Sequence, residues 1–308
     1  MAKNENSHDV IIIGGGPGGL TAGLYTSRGG LDTALIERGL VGGQISTAEK
    51  VDNYPGFPDG IGGRELTELI HRQATKYGLK TIIAEVTSVK PEGKQIAVNT
   101  TQGDHHARAL IIATGSERQK LGVPGEQEFS GKGVAYCATC DAAFFRNVPV
   151  AVVGGGNAAI TEAMHLTKFA SKVTIIHRRD KLRASAVLQG KALAEPKIDF
   201  LWDSVIEEIL GKATVNSIRL RNVKTDTMST MDIGGVFVAV GLKPSTEFIR
   251  GIVDIDQGGY IVTGNTMETS APGIFAVGDV RQGSARQAII AAGDGATAAF
   301  YAEKYLAE

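Results

Sequence analysis

The feature that most restricts what this chain can fold into is an internal repeat at an interval of 140 residues. Shifted by that interval, Gly14-Gly15-Gly16 falls on Gly154-Gly155-Gly156, Thr21 on Thr161, and the apolar run at 10–13 on that at 150–153. An uninterrupted apolar run of this kind reads as a strand buried on both faces of a parallel sheet. In the first copy it passes into Gly14-Gly15-Gly16-Pro17-Gly18-Gly19, a G-x-G-x-x-G, and then into a helix-like segment from Leu20. Pro17 suits the first helical turn, where its missing N–H would have had no partner. A second apolar run at 33–36 ends on Glu37, 18 positions after Gly19. Strand, glycine turn, helix, strand and acid form the dinucleotide-binding fingerprint. The glycines let backbone approach a pyrophosphate at a helix amino terminus, and the acid takes ribose hydroxyls. A glycine turn alone is weak evidence, but the flanking strands and the spaced acid make the pattern specific.

The second copy reads G-x-G-x-x-A, with Gly154, Gly156 and Ala159 in the key places and Asn157-Ala158 opening the helix. Its informative difference lies at the end of the second strand. Where the first copy has Glu37, this one has His177 followed by Arg178, Arg179 and Arg183. An acid there favours a free ribose 2′-hydroxyl, whereas arginines accommodate a 2′-phosphate. Such a run is also the pattern of a solvated basic patch, and its register against Glu37 is what favours phosphate. The repeat therefore predicts an unphosphorylated adenosine dinucleotide in the first site and NADPH in the second.

Just before the second fingerprint stands Cys137-Ala138-Thr139-Cys140-Asp141, which contains both cysteines of the chain. A C-x-x-C pair closes a small-ring disulfide, and a thiol of lowered pKa attacks as thiolate at neutral pH. Asp141 adds a proton donor or acceptor, because splitting a disulfide by two electrons leaves thiolates that need protons. Zinc and inert buried thiols are the alternatives. Zinc wants about four ligands at paired spacings, and the chain has no second C-x-x-C and no H-x₃₋₅-H among its six histidines. Redox chemistry is the better reading.

Charge is nearly balanced, 32 Lys and Arg against 33 Asp and Glu, so no basic field points to nucleic acid or to a membrane surface. The opening MAKNENSHDV is polar and the apolar run after it short, which fits neither a signal peptide nor a spanning helix. With only two cysteines, a reducing, cytoplasmic location is expected. Along the rest of the chain, residues 64–77 have a helical apolar pattern and 81–112 alternate as strands. Loose composition from 116 to 133 places a domain boundary near 116–118, and the turn chemistry at 241–244 places a second. Residues 273–279 form a short apolar strand ending at Asp279, and an alanine-rich helix runs from Arg286-Gln287-Ala288 to about 302. A tail packing back on the first domain would make that domain discontinuous.

GGGPGG, CATCD, GGGNAA with HRRDKLRA, and GIFAVGDV with RQA stand in the order and spacing of bacterial-type, low-molecular-weight thioredoxin reductases, and the resemblance covers essentially the whole chain. It implies an α/β fold of two Rossmann-like three-layer dinucleotide-binding domains. The NADPH domain (118–245) carries the C-x-x-C and is inserted into a discontinuous FAD domain (1–117 and 246–308). FAD would lie along Gly14, Gly16, Pro17 and Gly19, with Glu37 at the adenosine ribose and Asp279 at the ribitol. Gln44, Asn53, Gln287 and Ala288 would surround the isoalloxazine, and Gly43, Thr114, Gly115, Gly278 and Arg286 would complete the site. NADPH would take Gly154, Gly156, Asn157, Ala158, His177, Arg178, Arg179 and Arg183. Asp141 is implied as the acid, Cys140 as the thiol nearer the flavin, and Cys137 as the thiol that attacks thioredoxin. A homodimer is the form the resemblance implies. Ala142 and Thr161 stand where the family usually has Gly and often Glu. A same-fold reductase with another disulfide partner, another electron donor such as reduced ferredoxin or a deazaflavin, and a flavin sensor with a regulatory disulfide remain as rivals.

Overall fold

The computed structural model describes residues 6–48 and 50–308, which divide into two compact units. One comprises Met1–Glu117 with Lys243–Glu308, the other Arg118–Leu242. The first begins with strand β1 (Ser7–Ile13), helix α1 (Pro17–Arg28) and β2 (Thr33–Glu37), followed by α2 (Gly63–Thr75). Then come β3 (Lys80–Ile83), β4 (Val86–Glu92), β5 (Gln95–Thr100) and β6 (Gly103–Ile112). β7 (Ser116–Arg118) leaves the unit.

The second unit starts with β8 (Val134–Ala135), a short helix α3 (Ala138–Asp141), β9 (Pro149–Val153), α4 (Asn157–Leu166) and β10 (Lys172–Ile176). Helix α5 (Ala186–Ala194), β11 (Ile198–Leu201), β12 (Ser204–Gly211), β13 (Val215–Asn222), β14 (Met228–Asp232) and β15 (Gly235–Val238) complete it. The chain returns through β16 (Leu242–Pro244), which pairs with β7, and ends with β17 (Ile274–Ala276) and α6 (Ala288–Ala307).

In the first unit β3-β2-β1-β6 is parallel, and β6 is long enough to serve two further partners on its other edge. Its early half pairs antiparallel with β5, and its end, Leu110–Ile112, pairs parallel with β17. Val10, Ile11 and Ile12 are wholly buried, as are Leu110, Ile111 and Ile112. Both sheet faces are covered, which is why these runs are continuous rather than alternating. Ile11 and Ile112 pack towards Ile249 and Val280, whereas Val10 and Ile12 pack towards Leu20, Ala298 and Ala302. The carboxy-terminal helix thus does return to the first unit. Each such buried aliphatic side chain contributes about 1.5–3 kcal/mol.

The second unit repeats the device with the parallel order β11-β10-β9-β15-β8. Beside it stands an antiparallel sheet, β12-β13-β14, buried through Ile206, Ile209, Ile218 and Leu220. The unit ends at Leu242, three positions before the expected 245. The reason is local: Ser245 N–H donates to Gly115 O at 3.2 Å, Thr114 Oγ1 donates to Ser245 O at 2.8 Å, and Thr246 Oγ1 to Gly259 O at 2.9 Å. These bonds bind 245–246 to the first unit.

Burial also sets a pH dependence. Burial first, then the neighbouring imidazole charge of His8, holds His105 below the usual 6.5, with Asp104 opposing. His177 is lowered by burial first and by Arg183, Arg179 and Arg178, with a bond to Lys181 O opposing, and burial first lowers His165. Folding therefore favours the neutral rings. Above about pH 6.5 both states are neutral and nothing changes; below it the unfolded chain gains protons that the fold resists, so stability falls as the pH drops. We expect Tm to decline from about pH 6.5 to about 5, and His105→Gln to flatten part of that slope. The same slope in both proteins would show that His105 is not among the causes.

Candidate functional site

In the first unit the glycine turn sits where β1 feeds α1, at the carboxyl edge of the parallel strands and at the point where the order reverses, the usual ligand crevice of such sheets. Gly14 has φ +106°, and a Cβ there would lie 2.4 Å from Ala113 O; one on Gly19 would lie 1.9 Å from Gly14 O. The turn can close only with glycine at both places. Gly16 precedes α1 as its cap with Pro17 first in the helix, and a Cβ on Gly16 would meet nothing nearer than Gly43 Cα at 3.9 Å. Glu37 ends β2 with Oε2 accepting the Gly15 N–H at 2.7 Å and Oε1 that of Gly39 at 2.9 Å. Its carboxylate is thereby held against the turn.

The other residues predicted for this site gather around the same edge. Gly42 N–H donates to Gly15 O at 2.8 Å, bringing Gly43 beside Gly16. The Gln44 side-chain amide donates to Ser116 O. Asn53 Nδ2 meets Gln287 Oε1 at 3.2 Å, joining two positions 234 residues apart. Gly278 (φ +70°) begins a 3-10 turn through Val280, and Ser284 Oγ donates to an Asp279 carboxylate oxygen at 3.3 Å. Thr114 and Gly115 follow β6, with Gly115 at φ +66°. Arg286 adopts φ +57° and lies over the Tyr260 ring, 5.6 Å from its centroid; Ala288 starts α6. The open glycine turn at a helix amino terminus and the oriented carboxylate fit the adenosine pyrophosphate of FAD.

In the second unit the corresponding turn is Gly154 (φ +151°), Gly155 and Gly156, with Asn157 and Ala158 opening α4. A Cβ on Gly156 would meet nothing within 4 Å, which leaves the turn open on that side. Gly155 is covered by the His177 ring, whose nearest atom would stand 2.3 Å from a Cβ there. Its carbonyl accepts the N–H of Arg183 at 2.7 Å and of Ala184 at 3.1 Å. Asn157 Oδ1 accepts Ser185 N–H at 2.8 Å. The loop carrying Arg178, Arg179 and Arg183 is therefore stitched to the glycine turn, and those three side chains are exposed. Asp180, the acid within the run, is engaged by Lys224 at 3.1 Å. His177 Nε2 lies 3.1 Å from Lys181 O. An open turn flanked by free-standing guanidinium groups suits a nucleotide with a 2′-phosphate.

The disulfide lies in the same unit. Cys137 and Cys140 are bonded, with their Cα atoms 5.3 Å apart. Cys137 is extended and precedes α3, and its carbonyl accepts the N–H of Cys140 at 3.2 Å and of Asp141 at 3.0 Å. That single turn brings the two sulfurs together and puts Asp141 at its end. Ala142 has an ordinary helical φ of −56°, so its Cβ costs the turn nothing, and Thr161 faces outward on α4. Phe144, just beyond, is 60% exposed.

Sequence reading missed the support beneath this turn. Tyr136, immediately before Cys137, donates its hydroxyl to Glu126 Oε1 at 3.0 Å. The Glu126 carboxylate is buried and also accepts the N–H groups of Leu121 at 3.0 Å and Gly122 at 2.8 Å. Burial and the Glu126 charge push the Tyr136 phenol up to about 12, and the Arg118 guanidinium lies over its ring at 5.6 Å. Glu126 stands in a turn-rich stretch where an acid carries no pattern; only the fold brings it to Tyr136.

A redox disulfide in a chain with two nucleotide-binding folds defines a class, and comparison with known proteins agrees. The chain belongs to the pyridine nucleotide-disulphide oxidoreductase family, whose profile matches residues 8–295. It is 48% identical over 310 residues to a thioredoxin reductase of Listeria innocua, covering 100% of this chain and 97% of that one. Against a thioredoxin reductase of Bacillus subtilis it is 44% identical, over 99% of this chain and 97% of the relative. The crystal structure of thioredoxin reductase from Streptococcus pyogenes superposes with a TM-score of 0.94 at 44% identity, covering 99% of both chains.

Proposed function

We propose that this chain is a thioredoxin-disulfide reductase, moving electrons from NADPH through FAD and the Cys137–Cys140 disulfide to oxidised thioredoxin. The observation that carries the reading is the disulfide between the chain's only two cysteines, in the same unit as an arginine-flanked glycine turn. FAD held by Glu37, the Gly14–Gly19 turn and the Asp279 turn supplies the two-electron chemistry between nicotinamide and disulfide.

The chain's own residues do the rest. Arg178, Arg179 and Arg183 bind the 2′-phosphate, and the open Gly156 turn lets backbone approach the pyrophosphate. Two electrons and two protons open the Cys137–Cys140 bond, and Asp141 delivers a proton at the departing sulfur. The Cys137 thiol gives up its proton and attacks the thioredoxin disulfide as thiolate, forming a mixed disulfide and releasing one thioredoxin thiolate, which is protonated in turn. Cys140 then attacks Cys137 Sγ, which releases the second thioredoxin thiolate and restores the original bond. Exposed Phe144 offers apolar surface for a protein partner beside the disulfide. The low cysteine count and the exposed apolar side chains Ile289, Ile290, Phe300 and Tyr305 on α6 support a cytoplasmic homodimer. No helix among the described residues is long and apolar enough to cross a membrane.

The test is steady-state consumption of NADPH with FAD-loaded protein. Consumption should depend on both enzyme and oxidised thioredoxin and yield thioredoxin thiols in step. Reduction of thioredoxin by a ferredoxin or deazaflavin donor but not by NADPH would replace the donor; NADPH consumption indifferent to any disulfide protein would remove the function.

A further inference from the structure

Asp294 is a buried carboxylate, 7% exposed, in the middle of α6, and none of the chemistry above uses it. Its Oδ2 accepts the Gly278 N–H at 3.0 Å and Arg281 Nε at 2.7 Å, while Oδ1 accepts Arg281 Nη2 at 3.0 Å. The Arg281 guanidinium neutralises it, so the group is paired and well bonded in the core. These bonds grip the turn that carries Asp279 from both sides, Gly278 before it and Arg281 after it.

The next residue holds the other half of the site. A Cβ on Gly295 would stand 2.2 Å from Gly18 O and 3.0 Å from Ala22 N, so α6 touches the backbone of α1 just inside the phosphate-binding turn. One helical turn earlier, Ala291 packs against both: its carbonyl would lie 3.1 Å from a Cβ on Gly18, and its own Cβ 3.1 Å from one on Gly278. One face of one helix therefore meets the Gly14–Gly19 turn and the Gly278–Val280 turn, which are remote in sequence.

We infer that α6 is the spacer that sets the separation of the two halves of the FAD cradle, with Asp294, through Arg281, as its positioning residue. The inference rests on the FAD reading above. FAD has a fixed span, with its adenosine diphosphate part at the first turn and its ribityl part at the second. A helix bonded to one turn and packed closely against the other aligns them before the ligand arrives, so that binding does not bear the cost of ordering them. Simple core packing would make no distinction between a ligand that spans both turns and one that occupies only the first.

That distinction is the experiment. Full-length protein carrying FAD is diluted to give the FAD Kd from released flavin fluorescence, and ADP is titrated as a competitor for the adenosine half alone. For Asp294→Asn, which keeps the shape and removes the charge, FAD should bind more weakly by about tenfold or more, with the ADP inhibition constant within about twofold of the unmodified protein. Arg281→Lys keeps the charge but loses the two-donor contact, and it serves where Asp294→Asn does not fold; it should show the same selective loss, smaller in size. Unchanged FAD affinity in the folded variant would overturn the inference. So would an equal weakening of FAD and ADP, the mark of general loosening. Failure of ADP to displace FAD from the unmodified protein would instead refute the site reading, and this inference with it.

Discussion

Replacing Cys137 or Cys140 by Ser should lower thioredoxin reduction by on the order of 10³-fold or more while FAD stays bound, because a residue acting within a catalytic unit is lost all at once. The two substitutions fail differently. Without Cys137 no thiol attacks the partner disulfide. Without Cys140 the attack proceeds, but the mixed disulfide is not resolved and should trap thioredoxin covalently on the chain. Neither cysteine contributes to the first unit, where Glu37 and the glycine turn stand, so the flavin spectrum and content should not change. Turnover of thioredoxin at a normal rate by either variant would refute the assignment of the pair.

The second large effect concerns the donor. Arg178 and Arg179 are exposed on a loop fixed to Gly155 by the backbone of Arg183 and Ala184, so removing their side chains leaves the loop's anchors in place. Each charge-assisted contact to a phosphate is worth about 1.5–3 kcal/mol, and 1.4 kcal/mol is tenfold in affinity. Replacing both by Ala should raise KM for NADPH by about 10²-fold, leave KM for NADH within about threefold, and scarcely alter kcat at saturation. The unmodified protein should prefer NADPH accordingly. Equal kcat/KM for the two nucleotides before any substitution would show that the arginines do not read the 2′-phosphate.

The two glycine turns and their acid or arginine partners were legible because each motif is local, a strand, a turn and a helix within about thirty residues whose backbone demands leave glycine little alternative. The continuous apolar runs at 10–13 and 150–153 announced parallel strands for the same reason. The second unit's antiparallel sheet was read only in part: Ser217–Arg221 alternated, but β14, with mostly exposed side chains, carries no apolar pattern. Side-chain contacts outside the local motifs carried no pattern in the residues themselves. Glu126 meets Tyr136, and Asp294 grips Gly278 and Arg281, whereas Asn53 and Gln287, which do meet, were brought to one site by the resemblance alone. A carboxylate in a loop or a helix looks solvated in sequence, and only the closing of the fold buries it among donors.

The central claim, that two electrons pass from NADPH to the disulfide through FAD, is tested most directly by anaerobic titration of the FAD-loaded chain with NADPH while the flavin absorbance is followed. Two two-electron acceptors per chain predict consumption of about two equivalents of NADPH in the unmodified protein and about one in Cys140→Ser, and oxidised thioredoxin added afterwards should restore the flavin absorbance only where both cysteines remain. An end point of one equivalent in both proteins, or recovery of the flavin by thioredoxin in Cys140→Ser, would contradict the account.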